Sequence, residues 1–184
     1  MSSTRRLSRG GVAALAAALA VTAVLVVLLL RSTGGDDLPD TVAGLPAAGR
    51  DDGVARLERA LRDDDTVADV AGRLYDDGTT RAAVLVVTPA DPLTDETAGR
   101  LVSGVLRAAG ASPEAVTASA GAARPSTDGE ALLACAGEAG APTCVAVDGS
   151  RAVVAVATGL AAPDPLAWLD DVREDVVDGA APAG

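Results

Sequence analysis

The sequence predicts an α/β fold, with α+β as its variant: a small mixed-sheet domain carried behind a single N-terminal transmembrane helix. Three observations lead there. Gly11 to Leu30 is an uncharged apolar run, "RAAVLVVTP" (81–89) is a short β-branched run, and "LTDETAGRLVSGVLRAAGA" (93–111) directly behind it is amphipathic with a helical period. The rest of the composition is narrow. The chain has no Lys, His, Phe, Ile, Asn or Gln, every basic residue is Arg, and the apolar content is almost wholly Ala, Val and Leu, as in the proteins of a GC-rich bacterium.

At 1.5 Å per helical residue, Gly11 to Leu30 matches a bilayer core of about 30 Å. Arg5, Arg6 and Arg9 precede it, and Asp36, Asp37 and Asp40 follow soon after, so the positive-inside bias puts the N-terminus in the cytoplasm. The expected layout is a basic cytoplasmic tail (1–10), a signal anchor (11–30), a Gly-, Pro- and Asp-rich flexible linker (31–49) and an extracytoplasmic domain (50–184). The competing reading is a cleaved secretory signal, which fits less well because the small residues precede the most apolar stretch. Within the span, Ala13 with Ala17 and Ala16 with Ala20 have the small-xxx-small spacing that lets helices approach closely, which codon bias toward Ala also explains.

In the outer domain, Val54, Leu57 and Leu61 recur at helical spacing, and Val67, Val70, Ala71 and Leu74 repeat the pattern behind Asp65, so two short helices are expected. Ala82 to Val87 reads as a strand buried on both faces, the signature of a parallel sheet. The following helix has Thr94 as N-cap, Asp95 and Glu96 in its first turn and Gly110 past its end. A weaker strand near Val116 would complete a βαβ unit. "DGEALLACAGEAG" (128–140) reads as a short helix. Two apolar runs joined at Asp148 and Gly149 read as a C-terminal hairpin. Asp164, Pro165 and the stripe Leu166, Leu169, Val172, Val176 start and line a last helix. The sum is a sheet of about four strands.

Cys135 and Cys144 are the only cysteines. Outside the cytoplasm thiols oxidise, and the Cys-x8-Cys spacing is neither a Cys-x-x-Cys redox motif nor, without His, a zinc site. A disulfide is the simplest reading, and a pair of buried free thiols is the alternative.

The residue inventory excludes several chemistries. Without His or Lys there is no Ser-His or Cys-His pair and no Schiff base, and no glycine-rich phosphate loop is present. No cofactor or metal is implied. Carboxylate chemistry remains open, with Asp91 and Glu114 near strand ends as the candidate ligand site. From Ser32 onward, eleven Arg face 26 acidic residues, which disfavours nucleic acid and anionic lipid headgroups as partners. The functional expectation is a single-pass, non-enzymatic binding or assembly module of a cell envelope, held at the membrane by residues 11–30 and engaging an envelope protein, with self-association as a further option. The alternatives are a carboxylate-dependent envelope enzyme, or a membrane-complex subunit acting through its transmembrane helix.

Overall fold

The computed structural model describes residues 38–138 and 140–179, which form one eight-stranded sheet with four helices. The proposed span, with Ala13, Ala16, Ala17, Ala20 and the topology-setting Arg5, Arg6 and Arg9, lies outside these described residues. Among the described residues no helix is long and apolar enough to cross a membrane. The elements follow in the order β1 (Thr41–Val42), β2 (Leu45–Gly49), α1 (Asp52–Arg62), β3 (Val67–Asp76), β4 (Arg81–Pro89), α2 (Asp95–Ala108), α3 (Pro113–Gly121), β5 (Arg124–Pro125), β6 (Leu132–Glu138), β7 (Ala141–Val147), β8 (Ala152–Thr158) and α4 (Pro165–Gly179).

The sheet order is β1-β2-β3-β4-β8-β7-β6-β5, and every neighbouring pair is antiparallel. After β4 the chain passes through α2 and α3, returns as β5 and β6 at the far edge, and fills in β7 and β8 back toward β4. Helix α4 contacts β1 at one end of the sheet and β6 near the other, so the sheet curls around it.

Strand alternation feeds two cores, one on each face. Val84, Val153 and Ala155 point to the α4 side, where they meet Trp168, Leu169, Val172 and Val176. Leu85, Val145 and Val154 point to the other side, where they meet Leu61 of α1, Leu101, Val105 and Leu106 of α2, and Val116 of α3. β4 is thus buried on both faces as expected, but in an antiparallel sheet. Helices covering both faces, and not parallel pairing, are what its continuous apolar run reports.

Several expectations are corrected by this topology. There is no βαβ unit among the described residues and the sheet is not mixed. The segment around Val116 is helix α3: Ser112 Oγ accepts from the Ala115 amide at 3.2 Å and Pro113 opens the first turn, a start signal that outweighs the β-branched Val116 and Thr117. The segment from Val67 is strand β3, whose core-facing alternation is Val70, Gly72, Leu74. Leu132 to Glu138 is a strand because it pairs along its whole length with β7, and that pairing overrides the helix propensity of its alanines. Residues 41–49, placed in the linker, form the β1–β2 hairpin. Its two-residue turn holds Ala43 at φ 47° and Gly44 at φ 78°, the combination of positive angles that a type I′ turn requires.

Other elements stand where the pattern puts them. α2 is capped by Thr94, whose amide donates to Thr97 Oγ1 at 2.6 Å, and it ends with Gly110 at φ 90° while the Ala111 amide reaches back to the Leu106 carbonyl at 2.9 Å. Asp164 Oδ1 accepts from the Leu166 amide at 3.0 Å and so starts α4. The β7–β8 hairpin exists with a longer, four-residue turn: Asp148 Oδ1 accepts from the Ser150 and Arg151 amides at 2.9 and 2.8 Å.

Candidate functional site

Four observations bear on function: where the predicted carboxylates fall, what the cysteines do, how the β5–β6 arm is held, and what space it leaves. Asp91 follows β4 in an exposed loop. It lines a cleft of about 180 Å³ together with Asp65, Thr97 and Arg100. Glu114 does not line that cleft. It sits exposed in the first turn of α3, where its own amide and the Ser112 side chain hold its carboxyl below the ordinary value. Among the described residues no group of three or more His, Cys, Asp or Glu comes together as a metal site.

Cys135 and Cys144 face each other directly across β6 and β7, with their Sγ atoms at disulfide distance, 2.08 Å, and their Cα atoms 4.0 Å apart. Cys144 is fully buried in the α4-side core, and its sulfur lies 3.9 Å from the Pro165 carbonyl at the start of α4. The link thus ties two strands at the point where the last helix begins.

The arm that joins β5 to β6 is fastened to α4 by an ionic network, buried at Arg173 and Asp170 and exposed at Asp128, that the sequence reading missed. Arg173, its side chain only 4% exposed, donates to Asp170 Oδ1 at 3.2 Å and to Asp128 Oδ2 at 2.6 Å. Asp170 Oδ2 in turn accepts from the Thr127 amide and hydroxyl at 2.8 and 2.7 Å. Ser126 Oγ completes the loop, donating to Asp128 Oδ1 at 2.5 Å and accepting from the Ala131 amide at 2.9 Å. Burial pushes the Asp170 carboxyl upward, but the Thr127 and Arg173 donors outweigh it and its pKa ends below the ordinary value. Asp128 is held at about 2 by the Ser126 hydroxyl, the Glu130 amide and Arg173. Arg124, Ser126 and Thr127 are engaged here with Asp164, Asp128 and Asp170. The Asp170 to Arg173 spacing of three on a helix was the available signal.

So fixed, the arm stands off from α2 and leaves a groove of about 580 Å³. One wall is the α2 face with Ala98, Gly99 and Val102; the other is the arm with Pro125, Gly129 and Leu132. Ala134 and Val147 lie between the walls, and the β7–β8 turn closes one end with Gly149. A Cβ added at Gly99, Gly129 or Gly149 would meet nothing within 4 Å, so part of the space is room that missing side chains leave open. Leu132, at 47% exposure, is the only exposed large apolar side chain among the described residues. The groove's volume lies within the range of small-ligand clefts, about 300 to 1,000 Å³, and its lining is mostly apolar. No known protein family, curated protein or solved structure matches the chain.

Proposed function

We propose that the chain is a membrane-anchored, extracytoplasmic and non-catalytic binding module of a bacterial cell envelope, and that the groove between α2 and the β5–β6 arm is its binding surface. The observation that carries this reading is the groove itself: a mostly apolar channel with an exposed leucine at its lip, whose outer wall is held in place by an ion-pair network anchored on the buried Arg173 and Asp170. A wall fixed in this way costs little ordering entropy when a partner seats against it. The bonded cysteines support the outer location, because such links persist in oxidising compartments. The uncharged run Gly11 to Leu30 and the arginines before it supply the anchor and its direction.

A photoreactive amino acid introduced at position 132 of the full chain in intact cells tests the reading. A discrete adduct that disappears with Gly99→Leu, a change that fills the groove, is the expected result. Absence of any groove-dependent adduct across growth conditions overturns it. Trapping thiols in acid before alkylation tests the location: both cysteines resist modification until reductant is added if the domain lies outside.

A second reading, a carboxylate-dependent enzyme, has one observation in its favour, the shared cleft of Asp65 and Asp91 beside Arg100. Asp91→Asn then abolishes the cellular function of the protein while the adduct from position 132 persists; a wild-type phenotype removes that reading.

A further inference from the structure

Resting on the groove reading above, we infer that the groove takes a peptide segment whose apolar side chains are accompanied by Lys or Arg. The argument is charge complementarity over an apolar floor. Val102, Ala134 and Val147 offer apolar contact, and Leu132 offers a lip that buries when a partner seats on it. The charged residues that line the groove are Glu130 and Asp148, and no cation lines it.

These two carboxylates differ in availability. Asp148 is spent on its own turn and lies 3.7 Å from Arg151 Nε. Glu130 is exposed and has no ion-pair partner among the described residues. Of the arginines next in sequence to lining residues, Arg124 bonds to Asp164 at 2.6 Å, and Arg100 is exposed with Glu96 3.9 Å away. Across the outer domain, acidic residues outnumber Arg by more than two to one, so the long-range field also favours a cationic partner.

The same field argues against the other occupants. A second copy would bring a second acidic domain and a second Glu130 to the contact, and an anionic lipid surface would be repelled. An acidic or neutral peptide would gain the apolar contacts but leave Glu130 without a counter-charge at the rim.

Selection of phage-displayed random 12-residue peptides against the full chain in mild detergent, with counter-selection on Gly99→Leu, tests the inference. Peptides that survive counter-selection are expected to combine apolar residues with Lys or Arg. Their binding should weaken about tenfold or more in Gly99→Leu, through loss of a buried apolar anchor. In Glu130→Gln it should weaken about two- to fivefold at low salt, the size of an exposed ion pair, and this second difference should vanish near 1 M salt, where the screening length is about 3 Å. A Cβ at position 99 meets nothing within 4 Å, and an unchanged melting temperature of Gly99→Leu checks that the longer side chain leaves the fold intact. Groove-dependent peptides that are acidic or uncharged overturn the inference and leave the binding surface standing. Self-association of the wild type that Gly99→Leu removes also overturns it, in favour of a second copy. If no groove-dependent peptide is enriched, the inference and the groove reading fall together.

Discussion

On the α4 side of the sheet a single helix lies over the strands with Trp168, Leu169, Val172 and Val176 against the core, and with Asp170 and Arg173 buried beside them. On the other side three helices share the same sheet over an apolar core, with the buried Glu58 of α1 bonded to Arg50, and between α2 and the β5–β6 arm they leave a groove. Both faces draw on the same alternating strands and the same small aliphatic residues. The difference lies in what fastens the arm: the α4 face adds an ion-pair network and a covalent link, whereas the directional bonds of the opposite face, Arg50 to Glu58 and Arg62 to the Val70 carbonyl, hold α1 and leave the α2 side of the arm open. The α4 face therefore fixes where the arm stands, and the other face uses the position of that arm to form a surface.

The largest expected effect follows from removing the ionic fastening. Arg173→Ala leaves Asp170 buried without its cation, and breaking one partner of a buried pair costs about 3 kcal/mol. Urea unfolding of the full chain measures this, and Arg173→Met with Asp170→Leu should recover only part of the loss, since it removes the stranded charge but leaves Thr127 and Asp128 without their partners. Acid acts on the same bonds. Asp128, at about 2, and Asp170, also lowered, both titrate below their ordinary value of 3.8 in the folded state. Their stabilising contribution is present above about pH 4 and lost as pH falls toward 2. The emission of Trp168, the single tryptophan, should report this loosening within that window; a spectrum unchanged down to pH 2 would show that the network does not hold the arm.

Next in size is the covalent link. Closing a loop of about ten residues between Cys135 and Cys144 stabilises by about 2.7 kcal/mol in the chain-entropy model. Because Cys144 lies in the α4-side core, reduction should lower the urea midpoint and raise the accessibility of Trp168 before it affects the groove side. Equal midpoints with and without reductant would erase the asymmetry between the faces.

Much of this asymmetry was legible in the sequence and part was not, for physical reasons that differ by element. α2 and α4 carry their start signals at Thr94 and Asp164, and β4 reads as a strand because nothing polar interrupts Ala82 to Val87. β3 was misread because Gly72 occupies a core-facing position. With a glycine counted as neutral, Val70, Ala71 and Leu74 show helical spacing, although the buried series is Val70, Gly72, Leu74. β6 was misread because alanine favours helices and is abundant here, while the bonds that make it a strand come from β7, close in sequence but silent in its own pattern. Asp91 and Glu114 were chosen by position near strand ends of a parallel unit, and among the described residues every strand pair is antiparallel. The groove could not be read at all, since it is lined by three segments spread between Leu93 and Gly149, and part of its space is what Gly99, Gly129 and Gly149 leave open.

The smallest expected effect separates two glycines that sequence alone treats alike, both on the side of the sheet away from α4. At Gly72 an added Cβ would lie 2.9 Å from Val54 Cγ1 and 3.1 Å from Leu85 Cγ, so α1 and the core beneath it have to shift. Gly72→Ala is expected to destabilise by about 1 to 3 kcal/mol, as overpacking does. At Gly99 the added methyl meets nothing within 4 Å and the backbone is helical. Gly99→Ala should therefore stabilise by about 0.5 to 1 kcal/mol, the helix-propensity difference between the two residues. Opposite signs in urea unfolding would establish that this face is tightly packed where α1 meets β3 and open where α2 faces the arm. A loss of stability in Gly99→Ala would instead mean that the groove is filled in the folded protein, and the contrast between a fastened face and an open one would no longer hold.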